Sequence, residues 1–162
     1  MTVPLIPTAS QTVGPFVDIG CRYLDADRVG VSGPNTVDAM VRGRVIDGDG
    51  AGVPDFMLEI WQSAPSVGFA RVMPLTDGSF AFHASYASQL EILVFMRGLL
   101  KPVLTRMYFP DDPRNATDPV LALVPADRRA TLIAKAVSDA PLLGLEWNIV
   151  LQGDAETVFF EW

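Results

Sequence analysis

Residues 37–62, VDAMVRGRVIDGDGAGVPDFMLEIWQ, decide the fold. From Val37 to Asp47, Ala39, Val41 and Val45 alternate with Asp38, Arg42 and Arg44, the period-two pattern of a strand with one face buried. DGDGAG at 47–52 follows, where glycines able to take positive φ make a strong turn. FMLEIWQ at 56–62 reads as a second strand returning from that turn, so the stretch predicts a β-hairpin.

Outward from this hairpin the same grammar repeats. Asp77 and Gly78 make a turn before SFAFHA, a strand with Phe80 and Phe82 on one face. LEILVFMRG at 90–98 is too apolar for a strand with one wet face and predicts a buried central strand. VLTRMYF at 103–109, after the Lys101 and Pro102 break, is its expected partner, and LEWNIVLQG and TVFFEW predict two closing strands. Short strands separated by turn chemistry predict an all-β fold, an antiparallel β-sandwich. One segment departs from the pattern: PADRRATLIAKAV at 125–137 predicts a single short helix, with Pro125 ahead of its start and Leu132, Ile133 and Val137 on one side. The proline-bearing start predicts an extended N-terminal arm over residues 1–36, whose Leu5, Ile6, Val13 and Phe16 need a surface to lie on. Residues 37–162 then form the sandwich, with no linker dividing a single globular domain.

Composition narrows the function. Twelve Lys and Arg against 19 Asp and Glu give a formal net charge of -7 and a pI near 4.5, a charge that repels phosphate backbones and anionic lipid. Nucleic acid and membrane surfaces are therefore poor candidates, and no partner of either kind is expected. A hydrophobic fraction of 49% with mean hydropathy of +0.28 is high for a small acidic protein and leans toward an oligomer. No charged start precedes an apolar stretch of signal-peptide type, and no run is long enough for a membrane span, so the chain reads as soluble and cytoplasmic. The lone Cys21 has no partner for an internal disulfide, which suits a reducing compartment, and reads as a small buried hydrophobe.

One cysteine and one histidine leave little with which to build a transition-metal or acid/base site. His83 reads as a hydrogen-bonded structural residue. Asp47 and Asp49 lack the further oxygen ligands and closing Glu of a calcium loop and read as a solvated turn. No glycine-rich phosphate loop, nucleophile elbow or CxxC pair appears. Arg97 follows the apolar LEILVFM, and a guanidinium there either meets an internal carboxylate or faces a cavity that receives an anion.

Several segments, in order, carry a resemblance: SQTVGPF at 10–16, LEIWQ at 58–62, TRMYFPDD at 105–112, LIAKA at 132–136 and QGDAETVFFEW at 152–162. Together they resemble the intradiol ring-cleaving dioxygenases, nearest to the alpha chains of members that act on protocatechuate. The resemblance implies a β-sandwich and a non-haem ferric ion held by two tyrosines and two histidines on an iron-bearing beta subunit. In this chain Phe69 stands at the first tyrosine position, Gln89 and Glu91 stand at the two histidine positions, and the hairpin of the second tyrosine is missing before Gln89, with only Tyr86 nearby. Material is also missing between Phe69 and Thr76.

The implied chain therefore holds no metal and no catalytic residue of its own, and it pairs with the beta subunit across a shared site. By resemblance, Thr12, Gly14 and Pro15 of the arm, together with Arg97, line the pocket for the substrate, 3,4-dihydroxybenzoate. The implied reaction opens that ring with O2 to 3-carboxy-cis,cis-muconate. Two alternatives stay open: a homo-oligomeric, non-enzymatic binding or scaffold protein derived from the same sandwich, and a self-sufficient dioxygenase using His83, Tyr86 and Glu91.

Overall fold

A computed structural model describes residues 28–30, 37–63, 67–137 and 143–161. Among these, β2 (Asp38–Ile46) anchors a first sheet, flanked by β5 (Ser79–Ser85) on one side and β9 (Leu143–Glu146) on the other. β1 (Arg28–Val29) adds beyond β5, β8 (Lys135–Val137) adds beyond β9, and β10 (Ile149–Val150) also pairs with β2. A second sheet runs in the order β4 (Gly68–Val72), β3 (Phe56–Gln62), β6 (Gln89–Met96), β7 (Val103–Tyr108). The second sheet is antiparallel throughout, whereas β1 on β5 and both β9 and β10 on β2 are parallel pairings.

Alternation builds the core as the sequence requires. Val41 and Val45 of β2, with Phe80 and Phe82 of β5, point inward to a cluster that includes Leu58, Ile60, Ile92 and Val94 of the second sheet, all of them buried. The Phe56 and Phe80 rings join the two layers edge to face, 6.2 Å apart at 88°. Each such side chain contributes about 1.5–3 kcal/mol relative to staying exposed, so the two inner faces hold the sheets together.

The expected hairpin is corrected. The turn forms: Asp47 Oδ1 accepts the Asp49 and Ala51 N–H groups, Gly50 takes φ 80°, and Val53 N–H donates back to Val45. Yet β2 and β3 belong to different sheets. The reversal ends at the Ile46–Gly52 bridge, and Pro54, with no N–H to give a ladder, lies where the chain crosses to the facing sheet. The reason lies in FMLEI, which is buried at every position and so takes an interior place between β4 and β6.

The helix is also displaced. The one α-helix among the described residues is α1, Pro119–Leu123, started by Asp118 whose Oδ1 accepts from Val120 and Leu121 N–H, with Pro119 at its first position. Residues 125–137 instead hold a 3-10 turn at Arg129–Thr131 and then β8. Tertiary hydrogen bonds override the helical propensity here. Tyr108 N–H donates to Leu132, Ala134 N–H donates to Tyr108, and the Arg128 and Arg129 guanidiniums reach the carbonyls of Glu156, Val124 and Ala122.

Two smaller differences follow. β6 is central but alternates, with Leu90, Ile92 and Val94 buried and Glu91, Leu93 and Phe95 half-buried on the other face. The described residues of TVFFEW, 157–161, make one bridge, Leu104–Phe160, rather than a strand. Within the expected arm, Arg28 and Val29 form β1, and Val29 is fully buried in the core. No helix among the described residues is long and apolar enough to cross a membrane.

Candidate functional site

The outer face of the second sheet brings Phe69, Gln89 and Glu91, the residues that the resemblance placed at ligand positions, into one neighbourhood. Register places Phe69 opposite Trp61, Trp61 opposite Glu91, and Glu91 opposite Arg106, a row across all four strands. Gln89 lies two residues along β6, opposite Tyr108. The next row holds Arg71, Glu59 and Leu93. Cross-strand neighbours of this kind interact directly, and three of the pairs here are complementary. Arg106 Nη2 donates to Glu91 Oε1 at 2.7 Å, Arg71 Nη2 lies 2.6 Å from Glu59 Oε1, and the Phe69 and Trp61 rings pack 4.4 Å apart. The Arg71 guanidinium also stands 5.5 Å from the Phe69 ring centre.

This set does not fit an iron ion. Phe69 offers no donor atom, the buried Gln89 Oε1 is a neutral amide oxygen without a hydrogen-bond partner, and Glu91 is engaged by Arg106. The guanidiniums of Arg106 and Arg71 share this face, each paired with a carboxylate. Among the described residues no group of three or more His, Cys, Asp or Glu side chains is arranged to hold a metal. Only Tyr86, Ala87 and Ser88 join β5 to β6, a connection with no room for a further hairpin.

The structure separates the residues of the self-sufficient alternative. His83 is on the outer face of the first sheet, beside Met40 and Arg28 in register, whereas Glu91 is on the outer face of the other sheet. The ring is half-buried, and its Nδ1 lacks the hydrogen bond expected of a structural histidine. Tyr86 packs on Phe109 at 4.8 Å, and burial together with the Asp112 hydrogen bond raises its phenol above the ordinary value. Asp112 in turn is nearly fully buried, and the Arg114 hydrogen bonds hold its carboxyl down at about 2.

Arg97 lies just past β6 and meets a carboxylate, though not an internal one: Nη2 donates to Asp55 Oδ2 at 2.8 Å, with the two side chains 76% and 57% exposed. Thr12, Gly14 and Pro15 lie outside the described residues, as does Cys21. A depression of about 470 Å3 on the first sheet, lined by Met40, Arg42, Val137, Glu146 and Asn148, contains none of the expected site residues.

Sequence reasoning missed Asp55, Arg106 and Asp118. Arg106 and Asp55 acquire meaning only through register, which no local pattern reveals. Asp118 was legible: Asp before Pro is a helix-start signal, and its carboxylate also accepts from the Tyr108 hydroxyl at 2.9 Å, whose pKa burial pushes up to about 12.

No family model matches the chain. Among curated proteins, it is 35% identical over 191 residues to a protocatechuate 3,4-dioxygenase alpha chain of Burkholderia cepacia, covering 95% of this chain and 96% of that one. The chain belongs to the intradiol ring-cleaving dioxygenases, with the protocatechuate 3,4-dioxygenase alpha chains. The Pseudomonas putida alpha chain is 30% identical over 200 residues, covering 99% of this chain and all of that one. A beta chain of Burkholderia cepacia is 27% identical over 150 residues, 70% of this chain and 64% of its own length. Both alpha-chain alignments are longer than the 162 residues present, so gaps in this chain bridge them. In structure, the dioxygenase domain of a dioxygenase carbohydrate-binding fusion from Streptomyces sp. SirexAA-E matches the fold with a TM-score of 0.60 at 20% identity, covering 94% of this chain and 100% of that one.

Proposed function

We propose that this chain is the non-iron-binding alpha subunit of a protocatechuate 3,4-dioxygenase, working with a beta subunit that holds the ferric ion. The observation that carries the reading is the outer face of the second sheet in a chain 35% identical to a named alpha chain: its ligand positions hold Phe69, Gln89 and Glu91, and Glu91 is spent on Arg106. A family member without ligands contributes through placement of the substrate rather than through metal chemistry. Positioning alone is consequential, because misplacing reactants by about 1 Å costs roughly 10²-fold in rate.

In this reading the arm residues Thr12, Gly14 and Pro15 form part of the substrate wall. Gly14 lets the backbone approach closely and Pro15 stiffens the segment. Arg97 offers its guanidinium to the ring carboxylate of 3,4-dihydroxybenzoate, a planar fork matched to a planar anion. Its exposure supports this role, since a group that serves a site shared with another chain must reach outward.

The test is co-expression with an iron-bearing beta chain, then iron content and ring cleavage to 3-carboxy-cis,cis-muconate for the complex and for each chain alone. Activity confined to the complex is expected. Pro15→Ala and Arg97→Ala are each expected to raise KM for 3,4-dihydroxybenzoate at unchanged iron content. A stable homodimer of this chain with no affinity for the beta chain would sink the proposal in favour of a scaffold protein.

A further inference from the structure

The end of the second sheet where Arg97 sits is built from two strand ends. Phe56, the first residue of β3, is paired with Met96, the last of β6, so Asp55 and Arg97 are the next residues out on adjacent strands. Both backbones are constrained. On the β6 side, Leu99 N–H donates to the Met96 carbonyl at 3.3 Å, and Gly98 takes φ 98°, a value that suits glycine. On the β3 side, Pro54 precedes Asp55 and has its φ fixed by the ring.

Across this fixed frame one guanidinium nitrogen, Nη2, is bound to Asp55 Oδ2 at 2.8 Å. A guanidinium carries five N–H donors, so most of the fork stays open to a second acceptor. We infer that Asp55 is a positioning residue for Arg97: it holds the guanidinium by one edge so that the other edge is presented, already oriented, to the carboxylate of an anionic ring substrate. The inference rests on the role proposed above for Arg97 and adds to it a residue and a source of specificity.

Two physical arguments support the arrangement. Arginine loses substantial rotamer freedom when fixed, and a neighbouring carboxylate that orders it beforehand reduces what the substrate must supply. An exposed ion pair is also weak and easily shared, so Asp55 orients the arginine without locking it away. The carboxylate lends nothing to a neutral ring, which has no anion for the fork to receive. The effect of Asp55 is therefore confined to carboxylated ligands.

The experiment uses the complex with the iron-bearing beta chain and compares Arg97→Ala, Asp55→Ala and Asp55→Asn. Both positions are exposed, and iron content and melting temperature verify that each complex assembles. Asp55→Ala is expected to raise KM for 3,4-dihydroxybenzoate about three- to fivefold at constant kcat, the fold-change that an exposed pair corresponds to. Asp55→Asn, which keeps an oxygen acceptor, is expected to retain the wild-type KM or fall below it. The inhibition constant of catechol, which lacks the carboxylate, is expected to stay constant in all variants. A wild-type KM in Asp55→Ala, with KM raised in Arg97→Ala, overturns the inference alone, as does an equal loss of affinity for catechol. An unaltered KM in Arg97→Ala removes the underlying reading of Arg97 instead.

Discussion

Substituting Glu91 probes the pairing on the outer face of the second sheet. Glu91→Gln leaves the side chain's shape but removes the charge opposite Arg106, whose side chain is 18% exposed against 38% for Glu91, with 2.7 Å between the paired atoms. Fully exposed pairs are worth about 0.2–1 kcal/mol, and stranding a partner in the interior costs about 3–5 kcal/mol. A pair part-way between, discounted for water on the Glu91 side, gives a coupling of about 1–2 kcal/mol. For a chain of this size that is a loss of about 3–6 °C in Tm. The assay is a double-mutant cycle by urea unfolding on wild type, Glu91→Gln, Arg106→Met and the double variant, where Met keeps the aliphatic stem of the arginine. The coupling is expected to survive 1 M salt in large part, because partly buried pairs are screened less than exposed ones. Single-variant losses that add to within about 0.3–0.5 kcal/mol in the double variant would refute the claim that Glu91 is committed to Arg106.

Three further outcomes follow from the same structure. Gly43→Ala is expected to destabilise by at least about 1–3 kcal/mol in urea unfolding, since the new Cβ would lie 1.7 Å from the Trp147 carbonyl oxygen and 2.7 Å from the Phe80 ring; wild-type stability would show that β2 and Trp147 are not in this contact. Tyr108→Phe removes the hydroxyl that donates to the helix-capping Asp118, for an expected loss of about 0.5–1.5 kcal/mol, and an unchanged unfolding midpoint contradicts it. Asp112 has its carboxyl lowered from 3.8 to about 2, chiefly by the Arg114 hydrogen bonds, so its contribution is present above pH 3.8 and is lost as pH falls through about 2. After allowance for the exposed Arg114, Asp112→Asn is expected to cost about 1–2 kcal/mol at pH 7 and to flatten acid unfolding between those values, and an unchanged acid limb refutes it.

What the sequence made legible was local. Alternation in VDAMVRGRVID and SFAFHA located two strands of the first sheet, and the pairing of LEILVFM with VLTRMY held. What it hid was which layer a strand joins. The DGDGAG turn folds as a reversal should, but the burial of FMLEI on both faces outweighs the turn's preference and sends β3 to the facing sheet. The helix was misplaced for a related reason. Alanine and leucine in PADRRATLIAKAV favour a helix, but propensity yields to tertiary pairing, and the edge of β7 offers Tyr108 as a backbone partner on both its N–H and carbonyl sides. Phe69, Gln89 and Glu91 were identified through resemblance, and their common face became visible only once the registers of β3, β4, β6 and β7 were fixed.

If Phe69, Gln89 and Glu91 stand at former ligand positions, as proposed, those losses bear on one another because the three residues share a face. Replacing one ligand of a metal site leaves the others as buried polar groups without partners, a costly state. Here the side chains of the row pair with one another, phenyl against indole and carboxylate against guanidinium, with a second ion pair one row on, while Gln89 Oε1 stays without a partner. The strand ends differ, because Asp55 and Arg97 meet in an exposed pair that is easily shared. The same sheet thus carries its less exposed ion pairs in the inner rows and its most exposed pair at the rim.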